Sequence, residues 1–411
     1  MGKADEAIEH LRRAVATDRG EDPSWAGAIR LRVQLQPAGG PGAKVMPPTY
    51  APDRSGDPPI YIEEKRRIGG EEKQCVSLDS VASQANRGEA ALVDEIALDN
   101  IHVPTIWVDQ GEFGTHSALE FSHRAYDAWV EDAVLDGERF GDTEQWAQLA
   151  SSKRHDLTAL LRHSPVSIVL GSWASRVKNP QGAARLPRIL TSEIIAVGAE
   201  KGARPKSKRD IHDVSKGITI YKASEDSPER IVLDPRTAAR TGKGKEALFA
   251  EDGRPSSAGY GSVTPSLADH GGITMEYALQ IATISLPAIR ECRFPPSGER
   301  DDARDVAGRL MLVALGLRLL ALQVERGYDL RSGSLLIPEE EPSFELIDRL
   351  GKTVETWSVV DTDTAALLED AKRQGADHGL DWVDGDIKLE ASDVQLELLK
   401  RSLVKSADNG E

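Results

Sequence analysis

The stretch IRLRVQL, Ile29 to Leu35, places Ile29, Leu31, Val33 and Leu35 in alternation with Arg30, Arg32 and Gln34. A period of two predicts a strand with one apolar face turned to a core and one basic face turned away. Upstream, MGKADEAIEHLRRAV reads as a short charged helix without the apolar core of a signal peptide. Downstream, QPAGGPGAKVMPPTYAPDRSGDPP is too poor in apolar residues to pack and predicts a loop. A strand pair is expected over 60–66 and 74–78, then a helix from Ser80 to Leu98 with Ser80 as its N-cap. Further helices are expected over 117–135 and 143–162, and the run VSIVL (166–170) predicts a buried strand ending at Gly171. Residues 189–199 suit a strand or a helix, and periodicity does not decide between them. The stretch 200–265 is polar, basic and irregular, with short strands expected at 217–221 and 230–233. Helices over 273–292 and 304–326 and an extended run at 328–337 follow. An acidic segment from Pro338 then holds a strand at 354–360 and helices near 363–374 and 391–404. There is no internal repeat. Strands and helices mix without regular β-α alternation, so the expected class is α+β.

The chain has 411 residues, and at 39% hydrophobic and 5% aromatic its core must be aliphatic. Its net charge of −16 is unevenly spread. Residues 338–411 carry 19 acidic and 8 basic side chains, whereas residues 200–245 carry 12 basic and 7 acidic. Phosphate binding depends on the local patch, so the overall sign excludes nothing. Cys75 and Cys292 are the only cysteines, which rules out a disulfide framework and a cysteine zinc site. Arg309 and Arg318 interrupt the most apolar run, 305–326, which therefore reads as a buried helix, and a cytoplasmic location is expected.

Four segments carry the functional reading. In LDSVASQANRGEAAL (78–92), Ser83 and Arg87 share a helix face flanked by Gln84 and Asn86. Arginine offers planar donors to phosphate oxygens, and the others hydrogen-bond phosphate, sugar or base edges. A capped amphipathic helix with a merely solvated polar face explains the same residues. In LGSWASRVKNPQGAARLPRILTSEIIAVGA (170–199), Arg176, Lys178, Arg185 and Arg188 stand among small residues that let a strand approach closely; an ordinary basic loop fits equally well. The cations of 200–245 suit sequence-independent phosphate contact, although such runs are usually solvated loops. HGGITMEYALQIATISLPAIRECRFP (270–295) and DVAGRLMLVALGLRLLALQVERGYDLRSG (305–333) read as core.

Taken in order from about Ile29 to Leu336, these blocks resemble the RAMP-superfamily backbone subunit of the type I-G (formerly I-U) CRISPR Cascade complex. The resemblance implies a modified RRM-like, ferredoxin-type palm with inserted finger helices and a β-hairpin thumb over residues 1–337. The thumb, or a flexible basic loop, would lie within 200–265, and the acidic extension 338–411 falls outside the match. It further implies a cytoplasmic, non-catalytic protein without cofactor or metal that stacks in several copies along the crRNA. Its partners would be crRNA, other copies of itself, other Cascade subunits and, through the guide, target DNA, with no membrane involved. Carried over onto this sequence, the family's RNA contacts fall on Ser83, Gln84, Asn86, Arg87, Arg185 and Arg188, with Arg176 and Lys44 as further candidates.

Enzyme motifs are incomplete. Gly171-Ser172-Trp173-Ala174-Ser175 puts Trp173 where a hydrolase nucleophile would stand, so His270-Gly271-Gly272 has no nucleophile to serve as an oxyanion loop. TGKGKE (241–246) lacks the first glycine and the Ser/Thr of a phosphate loop. No histidine pair has metal-binding spacing; His116 and His123 at most share a helix face. Two alternatives stay open: a type III-like subunit that cleaves target RNA with a loop aspartate such as Asp79 or Asp53, and an interaction module docking through its acidic segment.

Overall fold

The alternating segment is the inner strand of a twisted antiparallel sheet. A computed structural model of the chain describes residues 10–16, 26–52, 54, 57, 59–174, 184–208, 211–212, 214, 217–224, 226–241, 246–267, 271–360 and 362–409. Strand β1, Ala26–Pro37, buries Ile29, Leu31, Val33 and Leu35 to 2% exposure or less, while Arg32 and Gln34 are exposed on the opposite face. The hairpin β2, Glu63–Ile68, and β3, Glu71–Asp79, follows, then helix α1, Val81–Ala97, whose N-cap Ser80 accepts from the Ser83 backbone N–H. Strands β4, Leu190–Val197, and β5, Tyr277–Ser285, precede helix α2, Asp302–Arg326, and strand β6, Leu335–Pro338.

Taken as β1-α1-β4-β5-α2-β6 with sheet order β6-β1-β5-β4, this is the ferredoxin-type βαββαβ arrangement of an α+β, RRM-like fold, as expected. The β2–β3 hairpin widens the sheet beyond β4, to which β3 is paired. Both helices cover the face holding Ile29 and Leu31. At their crossing, a Cβ on Gly88 would lie 2.7 Å from Gln323 Nε2, and that amide instead donates to the Gln84 carbonyl at 3.0 Å. The opposite face carries a small apolar cluster of Cys75, Ile195, Val197 and Leu279.

Three expectations are corrected. The run 166–170 is helical, Pro165–Val169, because Pro165 sits at the first helical position where its missing N–H costs nothing. The expected helix 273–292 is instead β5 followed by the short helix Leu286–Arg290. Strand β5 lies between β1 and β4, and its alternation is hidden because its buried face includes Gln280 while its half-buried face carries Leu279 and Ile281. The expected helices 117–135 and 143–162 are broken into short turns and helices, restarted by the caps Ser117, Asp127 and Thr143. The ambiguous run 189–199 is strand β4.

The acidic segment is woven into the same sheet. Strand β7, Ser343–Asp348, pairs with the first half of β1, and β8, Thr353–Ser358, pairs with β7. Helix α3, Thr364–Asp377, packs on α2, with Gly375 against Met311, and Ile387–Glu390 runs parallel to Ile106–Asp109 in a second small sheet. Between β4 and β5, a narrow ribbon of Pro205–Lys208 and Val263–Leu267 forms the stem of an insertion. Among the described residues no helix is long and apolar enough to cross a membrane. Arg309, fully buried in α2, donates to the Cys292 carbonyl at 2.9 Å, so the charge that interrupts the apolar run has a partner inside the protein.

Deleting residues 338–411 should therefore abolish cooperative unfolding, because β1 loses β7 and α2 loses α3. A truncated chain that melts sharply at the full-length Tm would overturn this weaving of the two parts.

Candidate nucleic-acid interface

The site is organised around the end of β3. Asp79 is fully buried, and its carboxylate accepts from Ser83 Oγ at 2.7 Å, Gln84 Nε2 at 2.6 Å and Arg87 Nε at 2.9 Å. Arg331 Nη2 reaches the same carboxylate at 3.5 Å, and Nη1 donates to the Leu78 carbonyl at 2.8 Å. A buried carboxylate is stable only when its oxygens are satisfied and its charge opposed. The helical spacing of Ser83, Gln84 and Arg87 supplies that satisfaction from the first two turns of α1.

Beneath the helix, Gln84 extends a second network into the sheet. Its side-chain oxygen accepts from Ser192 Oγ at 2.8 Å and Gln280 Nε2 at 3.0 Å, and Tyr328 donates its hydroxyl to Gln280 at 2.8 Å. Strands β4 and β5, helix α1 and the short strand Tyr328–Asp329 are thus pinned through polar side chains in an otherwise apolar layer. Burial raises the Tyr328 hydroxyl pKa, keeping it the neutral donor that the network needs.

The candidate cations are each held by contacts with the protein. Lys44 is exposed on the loop after β1 and donates to the Ala203 carbonyl at 2.6 Å, at the base of the inserted ribbon. Two residues on, the Met46 backbone N–H donates to Ser334 Oγ, beside Arg331. Arg331 and Arg87 meet at Asp79. Across the start of α1, Arg188 Nη1 donates to the Val81 carbonyl at 3.3 Å, and Arg185 stands three residues from Arg188 with its guanidinium carbon 5.3 Å from the Trp173 ring centre. Arg331 and Arg87 thus share one carboxylate, and Arg188 is held at the first residue of the helix that carries Arg87. Asn86 is exposed on α1 and Ser83 is half-buried.

The structure corrects the reading of Gln84, which at 2% exposure is a packing and positioning residue and not a surface contact. Arg176 lies outside the described residues, as do Asp53 and His270. Sequence reading missed Arg331, whose partners Leu78 and Asp79 lie some 250 residues away, so no local spacing marks it. It also passed over Trp173 as anything but a failed nucleophile position. His116 pairs with Glu120 and His123 with Asp127, and among the described residues no cluster suits a metal ion.

Arg185 and Arg188 border a cleft of about 460 Å³ lined also by Ser122, His123, Gly171 and Trp173. Its floor is fixed from below: Arg124, buried and in the left-handed region at φ 53°, donates to the Gly171 carbonyl at 3.0 Å and forms an ion pair with buried Glu89. Burial pushes the Glu89 carboxyl up, and burial with Arg124 nearby lowers the Arg188 guanidinium; arginine nonetheless stays charged. Gly171, at φ 79°, has no room for a side chain, since a Cβ would lie 2.9 Å from both Arg188 N and the Leu186 carbonyl.

Replacing Gln84 by Ala should cost about 3 kcal/mol of stability in chemical denaturation, by stripping donors and acceptors from Asp79, Ser192 and Gln280. An unchanged denaturation midpoint would show that the network does not hold α1 on the sheet.

No curated protein matches this chain. Residues 29–201, which run from β1 through β4 and include every candidate cation above except Arg331, match the model of the family described as CRISPR-associated protein GSU0053. Over the part that carries most of the candidate interface, the chain is therefore similar to a family of CRISPR-associated proteins.

Proposed function

We propose that this protein binds crRNA without cutting it, as the repeating backbone subunit of a type I-G CRISPR surveillance complex. The observation that carries the reading is the meeting of Arg331 and Arg87 at Asp79 in an RRM-like palm, with Arg188 held at the start of the same helix. Similarity over residues 29–201 to a CRISPR-associated family supports a role in CRISPR defence. Phosphates spaced along a single strand meet cations held by backbone and buried carboxylate contacts, so binding is sequence-tolerant and the guide's bases stay available for pairing. The insertion carried on the 205–208 and 263–267 ribbon takes the place of the thumb. Neighbouring copies, other Cascade subunits and target DNA reached through the guide are the partners in this reading.

A type III-like nuclease is disfavoured by the state of Asp79. Its carboxylate is fully buried and already accepts from Ser83, Gln84 and Arg87, leaving it no approach to a metal ion or a phosphodiester. Docking through a separable acidic tail is disfavoured by the pairing of β7 with β1.

Wild-type protein expressed with a CRISPR array should co-purify with RNA of uniform length. The double variant Arg185→Glu with Arg188→Glu should lose that RNA while keeping its Tm; retention of full-length guide would overturn the assignment. For wild type, log K against log salt should fall with a slope of about −0.7 per phosphate neutralised. Incubation of the assembled complex with complementary RNA and Mg²⁺ should leave the RNA intact, and regularly spaced cuts would establish the nuclease instead.

A further inference from the structure

We infer that Arg124 is a positioning residue for the bound strand: without touching a phosphate it fixes the backbone beside Arg188, and with it the placement of that guanidinium at the start of α1. The inference rests on the RNA-binding reading above and deepens it by naming what holds one of its cations.

Three observations converge on it. Arg124 stands in the left-handed region at φ 53°, a conformation that glycine or asparagine adopts more readily. An arginine in that place is explained by what its guanidinium does. Its Nε and Nη2 donate to the two carboxylate oxygens of Glu89, and Nη1 donates to the Gly171 carbonyl at 3.0 Å. A rigid planar fork makes all three bonds at once, which an ammonium at the same place does not. With these donors committed inside the protein and only 8% of its surface exposed, Arg124 is itself withdrawn from a ligand.

Second, both ends of this bridge belong to the candidate interface. Glu89 follows Arg87 on α1 by two residues. Gly171 is tied to the Arg188 segment by backbone on either side, Ser172 pairing with Leu186 and the Ile189 N–H donating to the Val169 carbonyl at 3.0 Å. Arg188 itself reaches the Val81 carbonyl at the first residue of α1. The segment is thus clamped to one helix at two points, and a shift of Gly171 away from Glu89 would draw Arg188 off that helix. Third, the charges do not balance as they would in a bridge that only holds the fold. Burial raises the Glu89 carboxyl, and Arg124 and Arg188 both act against that rise, so one buried carboxylate opposes two guanidinium groups. Arg188 is half-buried without an ion-pair partner of its own among the described residues, so the surplus positive charge sits where an arriving phosphate would neutralise it.

Binding of a short single-stranded RNA and thermal unfolding are measured on the full-length wild type, on Arg124→Lys and on the double variant Glu89→Gln with Arg124→Gln, each with Arg188 present and with Arg188→Ala. The double variant removes both buried charges together and so leaves no carboxylate buried and unopposed. Arg124→Lys keeps the charge and loses the fork. Both should unfold cooperatively and bind RNA on the order of 10-fold more weakly than wild type. Their salt slope should shrink by about 0.7, the share of one phosphate. In the Arg188→Ala background neither should weaken binding further, because the group through which Arg124 acts is already gone. An equal loss with and without Arg188 would make Arg124 a general support of the fold and overturn the inference. Wild-type affinity in both variants, or failure of both to fold, would overturn it too. If Arg188→Ala alone binds RNA as wild type does, the inference falls while RNA binding stands. If wild type binds no RNA, the RNA-binding reading falls and takes the inference with it.

Discussion

Burying the carboxylate of Asp79 at the end of a central strand obliges the surrounding chain to bring donors to it, and those donors define the candidate interface. An ionised carboxyl removed from water loses several kcal/mol of hydration, which only hydrogen bonds and opposing charge restore. Here Ser83, Gln84 and Arg87 come from the helix that follows, and Arg331 from a loop some 250 residues further along the chain. The two arginines are thereby held in place with part of each guanidinium still facing out. A cation anchored in this way loses less conformational entropy on meeting a phosphate than a free surface lysine does.

The same carboxylate separates two roles that the sequence presents together. SQANR looks like a polar helix face, and its side chains were expected to face the strand. Ser83 and Gln84 are instead spent on the protein's own charge, and Gln84 passes the constraint on to Ser192, Gln280 and Tyr328. Asn86 and the outer part of Arg87 remain for a ligand. Polar residues at helical spacing thus divide into those that build the site and those that could touch what enters it, and exposure alone tells them apart.

Features set by local physics were legible in the sequence. Alternation at Ile29–Leu35 gave β1, Ser80 gave the start of α1, and the charged residues within 305–326 marked a buried helix. What was not legible depends on distant partners. Strand β5 hides its period because its buried face holds Gln280, satisfied only by Gln84, Ser192 and Tyr328 from elsewhere in the chain, while Leu279 and Ile281 lie on the other face. The short turns after Ser117 follow from caps competing with an apolar pattern that favoured a continuous helix. Arg331 acquires meaning only when its loop is brought against β3, and Trp173 only when Arg185 is laid over it. The acidic charge of the C-terminal segment suggested a separate tail, whereas its apolar positions Phe344 and Leu346 are committed to the palm.

The late pairing of β1 bears on how the protein is made. Its sheet neighbours on either side are β5 and the β6–β7 edge, so translation must proceed roughly 240 residues beyond it before the first arrives. At about 5–20 residues per second, the nascent strand waits on the order of 12 to 50 seconds with an apolar face and both hydrogen-bonding edges unsatisfied. During that interval a ribosome-bound chain is exposed to pairing with the wrong partner, a hazard that the stability of the finished fold does nothing to reduce.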